Sequence, residues 1–353
     1  MRTERPFLNY IHQFRGFAIL LIVGVHTLIS LPWKGSVYTK NLFFSITNNG
    51  TILFVFIAGF LFYYLSHNKF SYQDYLKKKI KYVILPYLII SIPALADKLF
   101  VDTGDHWWMK GGFMDRSIPE KLLYMLATGK HSGVLWFIPM IAVFYLFSIL
   151  FIKWSKTKSF DYLVPLLLVL GLWTNQFGYY SNIALSFLHF LPVYLFGMWF
   201  AKLREPIFQK GQLLLFASLL IYAVFSLLEV LEVIRISELI ELRDHATLIL
   251  KFNPGKLKAI VFCVFLMIFF QKYEKKESRI LKLTGDYSFG IFFLHLYCIN
   301  FFQLLFNKHL IPINGLNIFT YLVYFIIVTA LCLLAVHIIK LIFKSKSRLI
   351  IGS

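Results

Sequence analysis

Arg15 and His26 are the residues of this 353-residue chain whose types and spacing first suggest chemistry. They bracket the stretch "RGFAILLIVGVH", in which every intervening residue is apolar or glycine. Imidazole is the side chain best suited to take a proton near neutral pH. A guanidinium suits an anionic ligand or a developing negative charge. Eleven helical steps make three turns plus about 20°, so the two side chains would share a face about 16 Å apart. Ionisable groups inside a membrane helix normally face the bundle interior or a wet cavity. Taken singly, Arg15 reads as an anchor at the membrane edge and His26 as a helix–helix hydrogen bond. Their common face points instead to one polar path.

The elements that hold this pair follow from composition. Of the residues, 59% are hydrophobic and 19% aromatic, and mean hydropathy is +0.70. Such a chain needs a bilayer as solvent. Apolar runs near the length that crosses a hydrocarbon core fall at about 14–32, 42–65, 80–100, 134–152, 160–174, 183–201, 212–233, 257–271, 287–306 and 318–343. The fifth and eighth are the shortest. The runs are continuous rather than alternating, which excludes a β-barrel. No linker rich in Gly, Ser or Pro divides them. The expectation is an all-α polytopic bundle of about ten transmembrane helices, one domain over residues 1–353 with no appended soluble domain. The first run is too long for a signal peptide and no A-x-A-like site follows it. Cys263, Cys298 and Cys332 lie in apolar runs without CxxC spacing, so neither a disulfide framework nor a metal site is expected.

Basic residues set the orientation. With ten spans and the N-terminus inside, 22 Lys and Arg fall on the inner side and 13 on the outer. That asymmetry predicts N-in and C-in in the cell (cytoplasmic) membrane. It accounts for most of the net charge of +19 and argues for a lipid partner rather than nucleic acid. Lys77, Lys78, Lys79 and Lys81 cluster at the inner start of the third span. Their ordinary reading is a topology signal; with Arg15 they could also hold phosphates of a cytoplasmic ligand. Gly-rich phosphate loops, GxSxG, HExxH and Walker motifs are absent. His189 and His337 are isolated and read as structural, and His12 as solvated near the inner surface. Two outer segments exceed simple turns: 101–133, with Trp107 and Trp108 at the interface, and 234–256, a candidate short amphipathic helix.

The chain resembles acyltransferase family 3. The Arg-x10-His pattern of Arg15 and His26 carries most of the likeness. "FVFIAGFLF" (54–62), "YLKKKIKYVILPY" (75–87), "SGVLWFIPMIAVFYL" (132–146) and "YSFGIFFLHLY" (287–297) follow in the family's order. Departures are Ala58 for a more usual Ser, Lys for Arg in the basic run, and Val134 where members often have His. His131 lies nearby but out of register. The resemblance implies transfer of an acyl group, most often acetyl, from cytoplasmic acyl-CoA to a hydroxyl of a surface or lipid-linked glycan. It implies His26 as general base or acyl carrier and Arg15 as the donor-orienting cation. It implies the lysine run for binding acyl-CoA, and Trp136 and His295 along the substrate channel. No metal is expected. The rival reading is a polytopic exporter or flippase of a saccharide, which should show discontinuous helices or paired half-repeats. The sequence displays neither.

Overall fold

The computed structural model describes residues 7–102, 113–174, 182–234, 252–311, 313 and 315–353. Trp107 and Trp108, and most of the candidate amphipathic helix in 234–256, lie outside these residues.

Helix α1 (Asn9–Ile29) runs through the centre of the bundle. Its start packs on a short helix, α13 (Arg279–Asp286), which leads into α14 (Ser288–Asn307). Asn9 donates to the Glu277 carboxylate at 2.7 Å, and at the far end Gln303 donates to the Ser30 carbonyl at 2.9 Å. Helices α1 and α14 are therefore parallel. The close approach at the near end depends on Gly16: a Cβ there would sit 2.1 Å from the Leu281 carbonyl oxygen. Helix α15 (Ile318–Phe343) starts with Asn317 and Thr320 capping each other's backbone and returns antiparallel to α1. Its Tyr321 hydroxyl donates to the Gly24 carbonyl. The last helix, α16 (Ser347–Ile351), comes back to the start of α14, where Ser353 Oγ accepts from the Gly290 amide at 2.8 Å. The start of α1 and the C-terminal segment thus share one face of the bundle.

The second pass is broken. Helix α2 (Val37–Thr47) descends until Thr47 meets Gly24, and α3 (Gly50–Ser66) begins beside Ile22, so the break lies within the bundle. Asn49 satisfies it by donating to the carbonyls of Ser45 and Ile46. A backbone gap at that depth persists only where protein supplies the hydrogen bonds. This is a discontinuous helix that hydropathy alone reads as one run, so the expectation that no helix is interrupted is corrected here.

Helices α4 (Tyr72–Lys79) and α5 (Leu85–Ala96) form the third pass through a π-helical turn. Helix α6 (Ile118–Thr128) and α7 (Phe137–Trp154) follow. Helix α8 (Lys158–Leu170) is only 13 residues long and ends in a 3-10 turn. It lies antiparallel to α9 (Ile183–Lys202): Lys202 pairs with Asp161 at one end, and His189 contacts the Thr174 carbonyl at the other. Helices α10 (Arg204–Gln209), α11 (Gly211–Val230) and α12 (Pro254–Lys272) complete the set. Among the described residues nine helical stretches are long and apolar enough to span a membrane. The run expected at 160–174 is the short α8, below that length.

Candidate active site

Arg15 projects from α1 toward the junction of α13 and α14. Its Nη2 donates to the Gly285 carbonyl at 2.7 Å and lies 3.4 Å from His12 Nδ1. Because guanidinium only donates, His12 Nδ1 accepts, and its Nε2–H faces the Lys282 carbonyl and Asp286, both at 3.1 Å. His12 is 6% exposed, so the expectation of a solvated histidine is corrected. It is buried because α13 packs over it and takes its Nε2 edge, while Arg15 of α1 takes Nδ1.

Three turns along, His26 is half-buried and lines a cleft of about 490 Å³, open mouth included. Thr51 and Ser288 are the other hydroxyl or ring-nitrogen groups on its wall besides Trp136. Phe54, Trp136, Phe137, Phe289 and Phe292 supply its aromatic surface. Ser288 opens α14, and its hydroxyl donates to the Gly285 carbonyl at 3.0 Å. The cleft therefore starts beside the carbonyl that holds Arg15 and extends to His26. Arg15 and His26 face successive parts of one polypeptide segment, α13 and α14.

Trp136 stands at the start of α7, with its ring stacked on Phe190 at 6.0 Å. The turn before it needs Gly129, which has φ +71°; a Cβ there would lie 2.3 Å from the Trp136 amide nitrogen. Val134 lines the cleft where the family often has His. His131 does not replace it. Its Nδ1 donates to the Met125 carbonyl at 2.9 Å and its Nε2 accepts from Ser91 at 2.8 Å. Burial holds its pKa down to about 4. His295 is fully buried on α14, its ring 5.2 Å from that of His26.

The structure separates the four lysines. Lys77, Lys78 and Lys81 are exposed, while Lys79 turns inward over the rings of Tyr75 and Tyr145, at 5.2 and 4.7 Å. Arg348 on α16 lies 4.3 Å above the Tyr82 ring and within electrostatic reach of both Arg15 and Lys79. Its only sequence signal was a basic residue near the C-terminus.

Sequence reasoning also missed two buried lysines at the start of α12. Lys258 pairs with Glu229 of α11 and donates to Ser45 at the end of α2; all three are at least nine-tenths buried. Lys256 donates to the carbonyls of Gly171 and His189 and to the Thr174 hydroxyl, at 2.7–2.9 Å. In "NPGKLKAIVF" both read as outer flanking charges. His337 accepts from or donates to Tyr287 OH at 3.1 Å. Cys298 and Cys332 are free thiols 3.6 Å apart between α14 and α15.

The family model for an acyltransferase domain, Acyl_transf_3, matches residues 8–337, nearly the whole chain. No curated protein and no solved structure matches. The matched region contains Arg15, His26, Trp136 and His295 and every helix that walls the cleft. The chain belongs to acyltransferase family 3 and is a membrane acyltransferase.

Proposed function

We propose that the chain transfers an acyl group, acetyl in the first instance, from cytoplasmic acyl-CoA to a hydroxyl of an extracytoplasmic or lipid-linked glycan. The carrying observation is the cleft that begins at Ser288, beside the Arg15 site, and reaches His26 and Trp136. On this reading the face that carries Arg15 and α16 is cytoplasmic, as the basic residues predict. Arg15, Lys79 and Arg348 meet the anionic part of the donor, with Lys77, Lys78 and Lys81 around the entrance. The aromatic wall takes the apolar arm and the acyl group.

His26 then acts as general base. The acceptor hydroxyl gives His26 its proton as its oxygen bonds to the thioester carbonyl carbon. The carbon–sulfur bond breaks, and the leaving thiolate takes the proton back. Arg15 orients the donor, and Trp136 and His295 border the channel.

The test is label transfer from radiolabelled acetyl-CoA to glycan by purified protein in lipid. His26→Ala should lose transfer while protein level and melting temperature hold. Unchanged transfer in that variant would sink the assignment, and solute flux without acylation would favour an exporter.

A further inference from the structure

We propose that His295 is the positioning residue for His26, holding it in the tautomer that turns a bare nitrogen toward the cleft. The inference rests on the acyl-transfer reading above and deepens it.

One hydrogen bond fixes the tautomer of His295. His295 Nδ1 lies 3.0 Å from the Ile291 carbonyl, one turn earlier on α14. A carbonyl only accepts, so Nδ1 carries the hydrogen. In the neutral ring the lone pair is then on Nε2. That Nε2 is buried and has no hydrogen-bond partner among the described residues. A buried acceptor left unpaired is costly and calls for a donor.

The neighbouring imidazole is His26, at 5.2 Å between ring centres. Two rings at that spacing bring facing nitrogens to about 3 Å, ordinary hydrogen-bond distance. The two rings are tilted by 42° and not yet bonded, so the proposed contact forms by rotation of the His26 ring. His26 must then supply an N–H on the side of His295. Its second nitrogen, in the neutral ring, carries the lone pair. His26 lines the cleft, so that nitrogen is the one offered to the acceptor hydroxyl.

The contact would strengthen when it matters. Once His26 has taken the hydroxyl proton, both its nitrogens carry hydrogens and the ring is cationic. Its hydrogen bond to His295 Nε2 becomes charge-assisted. An interaction stronger in the transition state than before it raises turnover rather than donor affinity.

Two amide replacements separate this role from plain packing. Gln at 295 reaches about as far as Nε2 and can accept from His26, but gives up the Ile291 tie. Asn places its amide near Nδ1, keeping the tie and losing the contact with His26. With acetyl-CoA as the probe, His295→Gln should keep turnover within about threefold, and His295→Asn should lose on the order of 10- to 100-fold with KM for acetyl-CoA unchanged. Asparagine matching or exceeding glutamine would overturn the proposal. Nitrogen-15 NMR of the full chain in bilayers gives a readout independent of activity, with the His26 signal assigned by its loss in His26→Gln. The wild type and His295→Gln should show one neutral tautomer at His26, and His295→Asn a mixture. A single unchanged tautomer in all three would reject the positioning role. A wild-type chain that transfers no label would reject the acyl-transfer reading, while the tautomer data would still judge His295.

Discussion

Arg15 and Ser288 share one acceptor: the Gly285 carbonyl takes a hydrogen bond from the guanidinium at 2.7 Å and from the hydroxyl at 3.0 Å. One contributor carries a charge and the other does not, so their replacement should differ. Arg15→Ala should lower kcat/KM for acetyl-CoA by on the order of 10²–10³-fold, the scale for removing one directed donor. Ser288→Ala should cost far less, because Arg15 still holds the carbonyl. Equal losses in steady-state kinetics would mean that the shared carbonyl, not the charge, is what the site needs.

Gly129 should not tolerate a side chain. Its left-handed backbone alone makes Gly129→Ala cost about 1–2 kcal/mol. The new Cβ would also press on the Trp136 amide, which is backbone and cannot swing aside. Melting temperature and acyl transfer should fall together. Trp136→Phe, by contrast, should lower transfer with little change in melting.

The Lys258–Glu229 pair makes a prediction about stability. Lys258→Met leaves a buried carboxylate without its cation and should cost about 3–5 kcal/mol. The double variant Lys258→Met, Glu229→Gln should regain much of that, because no net charge is left stranded. Thermal unfolding in detergent provides the cycle. Equal destabilisation in the single and double variants would show that the pair matters for something other than charge balance.

His131 gives a pH dependence with a definite sign. Its folded pKa is about 4, below the usual imidazole value near 6.5. As pH falls from 7 toward 4, the unfolded chain takes up a proton that the folded chain refuses, so stability is lost; above pH 7 there is no effect. Between pH 7 and 5 the loss is up to about 2 kcal/mol. His131→Gln keeps an acceptor for Ser91 without the titration. Its melting temperature should drop less between pH 7 and 5 than that of the wild type.

The sequence carried the parts of the fold that depend on local pattern. Runs of about 20 apolar residues located the long spans, and an eleven-residue interval was enough to aim Arg15 and His26 at the same polypeptide segment. It could not reveal the break at Asn48–Asn49. Hydropathy sums over both halves, and the carbonyls that Asn49 satisfies leave no trace in composition. Lys256 and Lys258 were hidden for a related reason. A lysine near a span end reads as a flank until a short neighbour, such as α8, leaves its carbonyls at that depth. His12 seemed solvated because α13, which buries it, lies some 270 positions later. The lysine run read as one patch because sequence adjacency does not say which way a helical side chain points.

The shortness of α8 has a consequence for the membrane itself. With its 3-10 turn it reaches about 25 Å, against a hydrocarbon core of about 30 Å. A helix that short can be met by thinning the bilayer by roughly 5 Å, by snorkelling of its flanks or by association with a neighbour. Lys256 sits beside the 3-10 turn, donating to the Gly171 carbonyl that the Thr174 amide and hydroxyl also cap. Bilayer thickness then becomes a variable to test: transfer in short-chain lipid should exceed transfer in long-chain lipid if the α8 flank sets the fit.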